Sequence, residues 1–333
     1  MACASARQST LFDRAHDAIV AARGRIQSRV LRTPLHASPR LSAIAGVPVH
    51  LKLENRQTTG AFKLRGATNA ILSLDAAARR RGVVTASTGN HGRALAHAAK
   101  AQGIRAVVCM SALVPANKVE AIRALGAEVH IVGRSQDDAQ IEVARLVDRE
   151  GLAEVPPFDD LAVVAGQGTI GLEIVEDFTD VETVVIPLSG GGLAAGIAVA
   201  VKAARPNARV VGVSMARGAA MHESIKAGHP VAVEEVESLA DSLGGGIGLD
   251  NRITFELCRD LLADTVLLSE DEIAAGIRHA FAVENEVVEG AGAVGIGALL
   301  AGKIRPQGPT VVIVSGRNID PQRHAHIVSG AAA

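Results

Sequence analysis

Apolar positions in this chain gather into short runs rich in valine and isoleucine, separated by longer alanine-rich stretches. Eight runs read as strands: 48–54 (PVHLKLE), 82–87 (GVVTAS), 104–110 (IRAVVCM), 127–133 (AEVHIVG), 183–188 (TVVIPL), 208–215 (ARVVGVSM), 264–270 (DTVLLSE) and 309–316 (PTVVIVSG). Between them lie segments of helical pattern, among them HGRALAHAAKAQG, PANKVEAIRALGA and GLAAGIAVAVKAARP. Strands apolar on both faces, each followed by a helix, predict an α/β chain whose mostly parallel sheets are covered by helices. Ligands in such folds bind beyond the carboxyl ends of the strands, so the loops directly after strands are where chemistry is expected. The stretch EVPPFDD (154–160) breaks the rhythm with two prolines and is expected to mark a return between two lobes. The segment from 225 to 250, ending in DSLGGGIG, is irregular and is expected to form a loop over the site.

Composition narrows the class. The 333 residues are 48% hydrophobic and 21% charged, an ordinary globular balance with material for one large domain or two smaller ones. Net charge is −1 with the signs interspersed, and there are six Phe but no Trp or Tyr. A nucleic-acid or membrane-surface partner held by charge or stacking is therefore not expected. The first residues lack a signal-peptide core, and no apolar run reaches spanning length. Cys3, Cys109 and Cys258 are far apart and form no CxxC pair, which speaks for a reducing cytoplasm and against a disulfide framework or zinc knuckle.

Candidate chemistry lies in the loops. TTGAFKLRGATNA (58–70) encloses Lys63 among small and apolar neighbours, as a neutral amine for covalent work or simply a loop cation. LSGGGLAAGIAVAVKAA runs glycines into a helix, which suits a phosphate or a tight strand-to-helix turn. No GK[ST] follows, so it is not a P-loop. The G-x-G-x3-G spacing, with Val213-Ser214 where an acid belongs, argues against a dinucleotide fingerprint. TASTGNHGRALA (85–96) offers amides and hydroxyls to a carboxylate, or helix capping. Ser315 sits just past the strand of TVVIVSGRNID, as a ligand contact or part of a plain turn. In VVEGAGAVGIGA, Glu289 heads a small-residue helix, where it either complements the helix dipole or serves the site.

Taken together, an enclosed lysine, a phosphate cradle, a carboxylate loop and a hydroxyl past the last strand describe a pyridoxal phosphate site. The chain resembles the fold type II pyridoxal-phosphate enzymes of the threonine dehydratase and serine racemase group, from RTPLHASPRLS (32–42) through LKLENRQTTGAFKLRGA to SGRN (315–318). Within the group, VTASTGNHGRALA, CMSALVPANKVEAIRALGAEV, GGGIGLDNR and VSGRN are similar to hydroxyectoine-utilisation dehydratases. The resemblance implies a two-lobed, tryptophan synthase beta-like fold, with a large cofactor domain (1–79 and 158–333), a small mobile domain (80–157) and a cytoplasmic homodimer. It implies that Lys63 links to the cofactor, Phe62 lies beside it and Asn90 bonds its ring hydroxyl. Ser189, Gly190, Gly191, Gly192 and Leu193 would hold the phosphate, Ser315 would face the ring nitrogen, and Glu289 would complete the set. Ser87, Thr88, Gly89 and His91 would take the substrate carboxylate, with Thr88 also catalytic.

Departures from the group are informative. Ser189 replaces the usual first glycine of the phosphate loop, and Ser242 a glycine that flanks the cofactor. Ser214 and Ala220 stand where serine racemases carry acidic metal ligands, so no metal is expected. SGRN in place of SGGN puts Arg317 near the site, as a reader of an acidic side chain or a surface cation paired with Asp320. The implied reaction is loss of water from a threonine, serine or 3-hydroxyaspartate type amino acid, giving a 2-oxo acid and ammonia. A racemase is the enzymatic alternative, and a phosphate-ligand binding module the non-enzymatic one.

Overall fold

All eight runs become strands in the computed structural model, with most ends trimmed by a residue or two; the structure describes residues 10–87, 89–114 and 116–330. The chain begins with α1 (Leu11–Ile26), β1 (Leu35–Ala37), α2 (Pro39–Ala45), β2 (Val49–Leu53), α3 (Lys63–Ser73) and α4 (Ala76–Arg81). An alternating run follows: β3 (Val83–Ala86), α5 (Asn90–Lys100), β4 (Ala106–Met110), α6 (Ala116–Ala124), β5 (Glu128–Ile131), α7 (Gln136–Glu150) and β6 (Ala153–Glu154). Next come α8 (Leu161–Asp177), β7 (Thr183–Pro187), α9 (Gly192–Ala204), β8 (Arg209–Met215), α10 (Ala220–Ala227) and α11 (Ile253–Leu261). The chain closes with β9 (Asp264–Leu268), α12 (Glu270–Ala282), α13 (Gly290–Leu300), β10 (Thr310–Val314) and α14 (Pro321–Val328).

Two sheets result. The larger has the order β1-β2-β10-β7-β8-β9, parallel except for β1, and the smaller has β5-β4-β3-β6, parallel throughout. Successive residues of the central strands face opposite sides, as pleating demands. Val184 and Ile186 pack with Ile19 and Ile197 on one face, while Val185 packs with Val294 and Ile296 on the other. This double burial is why the strands read as unbroken apolar runs. One face of the small sheet packs Val83, Val108 and Met110 against Leu64, Ala67 and Ile71 of α3. Helix α3 also crosses α8, whose Val164, Ala165 and Ile170 belong to the core of the large sheet, at a point where a Cβ on Gly166 would lie 2.6 Å from the Gly66 Cα. The two-residue β6 and three-residue β1 were not expected, being too short for any periodicity to register. Among the described residues no helix is long and apolar enough to cross a membrane.

Candidate active site

Lys63 is the first residue of α3, and the segment before it is sewn to the loop after β10. Phe62 N donates to Ser315 O at 3.0 Å, and Arg317 N to Gly60 O at 2.9 Å. This brings Lys63 and Ser315 to the wall of one cavity of about 750 Å³. The Lys63 amine donates to the Pro157 carbonyl at 2.6 Å and lies 5.2 Å from the centre of the Phe62 ring. No carboxylate is given to it, so burial pushes it down to about 8. Near neutral pH a substantial fraction of such an amine is available as nucleophile or base.

Opposite stands the loop between β7 and α9. Ser189, Gly190, Gly191, Gly192 and Leu193 all line the cavity. Gly191 caps α9 at φ 88°, a conformation that favours glycine, and a Cβ there would sit 2.7 Å from Met221 Cε. A Cβ on Gly190 would run into the Phe158 ring. The amides of Gly190, Gly191 and Gly192 find no acceptor among the described residues. Three open amides at the head of a 13-residue helix match a phosphate dianion.

The β3–α5 loop supplies a second set. Ser87 Oγ accepts from Gly92 N at 3.1 Å and Gly89 N at 3.5 Å, so it caps α5 and keeps its own proton to donate. Gly89 and Asn90 line the cavity. His91 Nε2 sits 2.8 Å from the Val155 carbonyl, which requires a proton on Nε2, and its buried Nδ1 has no partner among the described residues. Burial, aided by the Lys63 charge and opposed by the Val155 bond, pushes His91 down to about 3. The imidazole is thus neutral and only accepting toward the cavity, so a carboxylate at His91 is met by its backbone amide at the start of α5. Thr88 lies outside the described residues.

Glu289 is the N-cap residue of α13, yet its side chain does not cap that helix. Its carboxylate accepts from Asn90 Nδ2 at 2.7 Å and from Asn318 N at 3.0 Å. Arg317 departs from expectation: its side chain is exposed and does not line the cavity, and no ion pair with Asp320 forms. The Asp320 carboxylate instead caps α14. Among the described residues lining the cavity, Lys63 is the one lysine or arginine, whereas Asp137, Glu235 and Asp241 place carboxylates at its rim. The irregular segment expected over the site does line it, through residues 231–233 and 241–249, Ser242 included. Ser214 is buried in β8 and Ala220 opens α10, so neither offers a carboxylate.

Two features escaped the sequence. Phe158 was seen only as part of a return between lobes, but it packs on the glycine loop while Asp159 Oδ1 accepts from Ile253 N and Thr254 N at 2.9 Å. Beneath α3 lies a closed group of four buried charges. Arg65 bonds both Glu54 oxygens (2.8 and 2.9 Å) and Glu173 (2.6 Å), and Lys52 bonds Glu173 at 2.6 Å. Burial alone would lower the Arg65 pKa, but Glu54 and Glu173 outweigh it and hold it above its ordinary value.

Residues 26–316 match the family described as "Pyridoxal-phosphate dependent enzyme", and the chain belongs to that family. It is 62% identical over 315 residues to a Sinorhizobium fredii protein named "Putative threonine dehydratase", covering 94% of this chain and 95% of that one. Among solved structures, maize serine racemase superposes with a TM-score of 0.89 at 31% identity, covering 95% of this chain and 97% of that one. The processed form of threonine deaminase isoform 2 from Solanum lycopersicum also gives 0.89, at 33% identity, covering 98% and 89%. The protein is a pyridoxal-phosphate dependent enzyme with the fold type II architecture.

Proposed function

We infer that this enzyme is a dehydratase (ammonia-lyase) that removes water from a 3-hydroxy amino acid, releasing a 2-oxo acid and ammonia. The observation that carries the reading is the Lys63 amine, lowered by burial to about 8 in a cavity it shares with the open amides of the glycine loop. Similarity to a protein named for threonine dehydration supports it.

The residues present fit the cofactor. Gly190, Gly191 and Gly192 would hold its phosphate at the α9 N-terminus, Asn90 would meet the ring oxygen, and Phe62 would lie beside the ring. The Ser315 hydroxyl, which has no protein partner among the described residues, would face the ring nitrogen. Pyridoxal phosphate, when bound, links to an amine and supplies an electron sink for the charge left when a carbon loses its proton. Lys63 Nζ would be the amine that holds the cofactor, and as a free amine it would take the proton from the substrate Cα. Ser315 is a neutral hydroxyl, so it does not hold a proton on the ring nitrogen as a carboxylate would. A ring held by such a neutral partner would be a weaker electron sink, and the Lys63 amine, protonated at Nζ, would supply the proton with which the β-hydroxyl leaves as water. Ser87, which already accepts from Gly92 N and Gly89 N, would donate its hydroxyl proton to the substrate carboxylate, joined by the backbone amide of His91. Thr88 belongs to the same loop. Residues 80–157 are read as a small mobile domain that closes on this assembly and excludes water, and the enzyme as a cytoplasmic homodimer.

For the substrate side chain, the rim disfavours a second carboxylate. The cofactor phosphate would add negative charge to a cavity already edged by Asp137 and Glu235, and among the described residues no arginine lines it. Threonine, serine or a hydroxylated diaminobutyrate derivative suits this better than 3-hydroxyaspartate, and the last of these suits the hydroxyectoine-type wording. The test is release of ammonia and 2-oxo acid from each of these four compounds by the purified holoenzyme. Release from threonine, serine or the diamino compound is expected, and release from none of the four would refute the reading.

A further inference from the structure

Behind Asn90 runs a chain of side chains whose hydrogen-bond directions are all fixed. Arg93 Nη1 donates to Asn318 Oδ1 at 2.8 Å. Asn318 Nδ2 donates to the Thr59 carbonyl at 2.9 Å and to Asn90 Oδ1 at 2.6 Å. Asn90 Nδ2 donates to Glu289 Oε1 at 2.7 Å. A carboxamide is ambiguous by itself, because its oxygen and nitrogen can exchange places. Here each end of the chain removes the ambiguity. A guanidinium only donates, so the Asn318 atom facing Arg93 is oxygen; a backbone carbonyl only accepts, so the atom facing Thr59 is nitrogen. The same logic, with Asn318 Nδ2 on one side and the Glu289 carboxylate on the other, fixes Asn90. One Nδ2 proton of Asn90 is then left over. Asn90 lines the cavity, while Arg93 and Asn318 do not.

The seat of Asn318 is equally specific. Gly60, at φ 80°, approaches so closely that a Cβ there would lie 2.5 Å from Asn318 Oδ1. Asn318 N also donates to Glu289 Oε2 at 3.0 Å, so the same residue bonds Asn90 and orients Asn90's other partner.

We propose that Arg93 and Asn318 are positioning residues that hold the Asn90 carboxamide with an N–H turned into the cavity, as an obligate donor to the ring oxygen of pyridoxal phosphate. The proposal rests on the cofactor placement given above. Its physical content is that Arg93, outside the cavity, acts with the Thr59 carbonyl and the Glu289 carboxylate to set which atom of Asn90 the cofactor meets. Polarisation along the chain, from guanidinium to carboxylate, strengthens that donor. A donor on the ring oxygen draws its lone pair away from the proton on the neighbouring linked nitrogen. Weakening the donor therefore raises the pH at which the visible absorption band titrates.

The test compares wild type, Arg93→Met and Arg93→Lys, titrating each apoprotein with pyridoxal phosphate and following the visible band with pH. Arg93→Met should bind the cofactor about tenfold more weakly, the scale of one hydrogen bond to a charged group, and its band should titrate at higher pH. Arg93→Lys keeps a cationic donor and should recover most of both effects, while all three apoproteins melt at the same temperature. A Met variant that binds and titrates like wild type, or Met and Lys variants that lose equally, would overturn the proposal. Failure of the wild-type apoprotein to take up pyridoxal phosphate would overturn the cofactor placement and this proposal with it, a result separable from the first two.

Discussion

Lys63 and Arg65 stand two residues apart on α3, and the structure treats their charges in opposite ways. Arg65 is almost wholly buried, bonded to Glu54 and Glu173, and held above its ordinary pKa by them. Lys63 receives one carbonyl and the face of a ring, and burial pushes it down to about 8. One helix thus anchors a permanent cation on one side and presents on the other an amine that gives up its proton far more readily than an ordinary lysine. The choice of residue matters, since a guanidinium stays charged in almost any surroundings whereas an ammonium yields its proton when desolvated. Pairing is what separates the two, since Arg65 has carboxylate partners and Lys63 has a carbonyl.

The most severe way to break the comparison is to remove the amine. Lys63→Ala should lower turnover by at least about a thousandfold, because the cofactor link and the base are lost together. Stopped assays of 2-oxo acid release on the pyridoxal-phosphate-saturated variant provide the check, and turnover within tenfold of wild type would contradict the assignment.

Breaking the other side should destabilise the protein and spare the chemistry. Glu173→Ala leaves Lys52 and part of Arg65 buried without their partner, at a cost of about 3–5 kcal/mol. Urea unfolding measures it, and a loss below about 1 kcal/mol would mean that water reaches the cluster.

A pH series sharpens the contrast without touching Arg65. In the cofactor-free protein the folded pKa of Lys63, about 8, lies below its ordinary 10.5, so between these values the unfolded chain binds more protons. The Lys63 contribution therefore makes the apoprotein more stable as pH rises from 8 to 10.5, and it is flat below 8. Lys63→Met should lack this rise when urea midpoints of the two proteins are compared across the window. Parallel curves would show that the amine is solvated.

The smallest effect is expected at Arg317, whose side chain is exposed and outside the cavity. Arg317→Gly should change kcat/KM for threonine and for 3-hydroxyaspartate by less than about threefold each. A selective loss with 3-hydroxyaspartate alone would restore it as a reader of the substrate.

Much of this was legible beforehand, for identifiable reasons. Strands buried on both faces announce themselves as valine and isoleucine runs, and the loops that follow them line the cavity with Lys63, Asn90, Gly190 and Ser315. What stayed hidden depends on contacts between distant residues or on side-chain direction. Lys52 meets Glu173 across 121 positions, and nothing local to either predicts the other. Asn318 lies within SGRN, but its place as the hub between Asn90 and Arg93 needs partners 228 and 225 residues away. Arg317 was placed at the site by its nearness to Ser315 in the chain, whereas only its backbone is engaged there, on Gly60.

The central claim is that Lys63, and no other lysine, carries the cofactor. Borohydride reduction of the holoenzyme, followed by digestion and mass mapping, tests it most directly. The reduced pyridoxyl group should be found on the peptide containing Lys63 and nowhere else. Its recovery on a peptide from any other part of the chain would contradict the account.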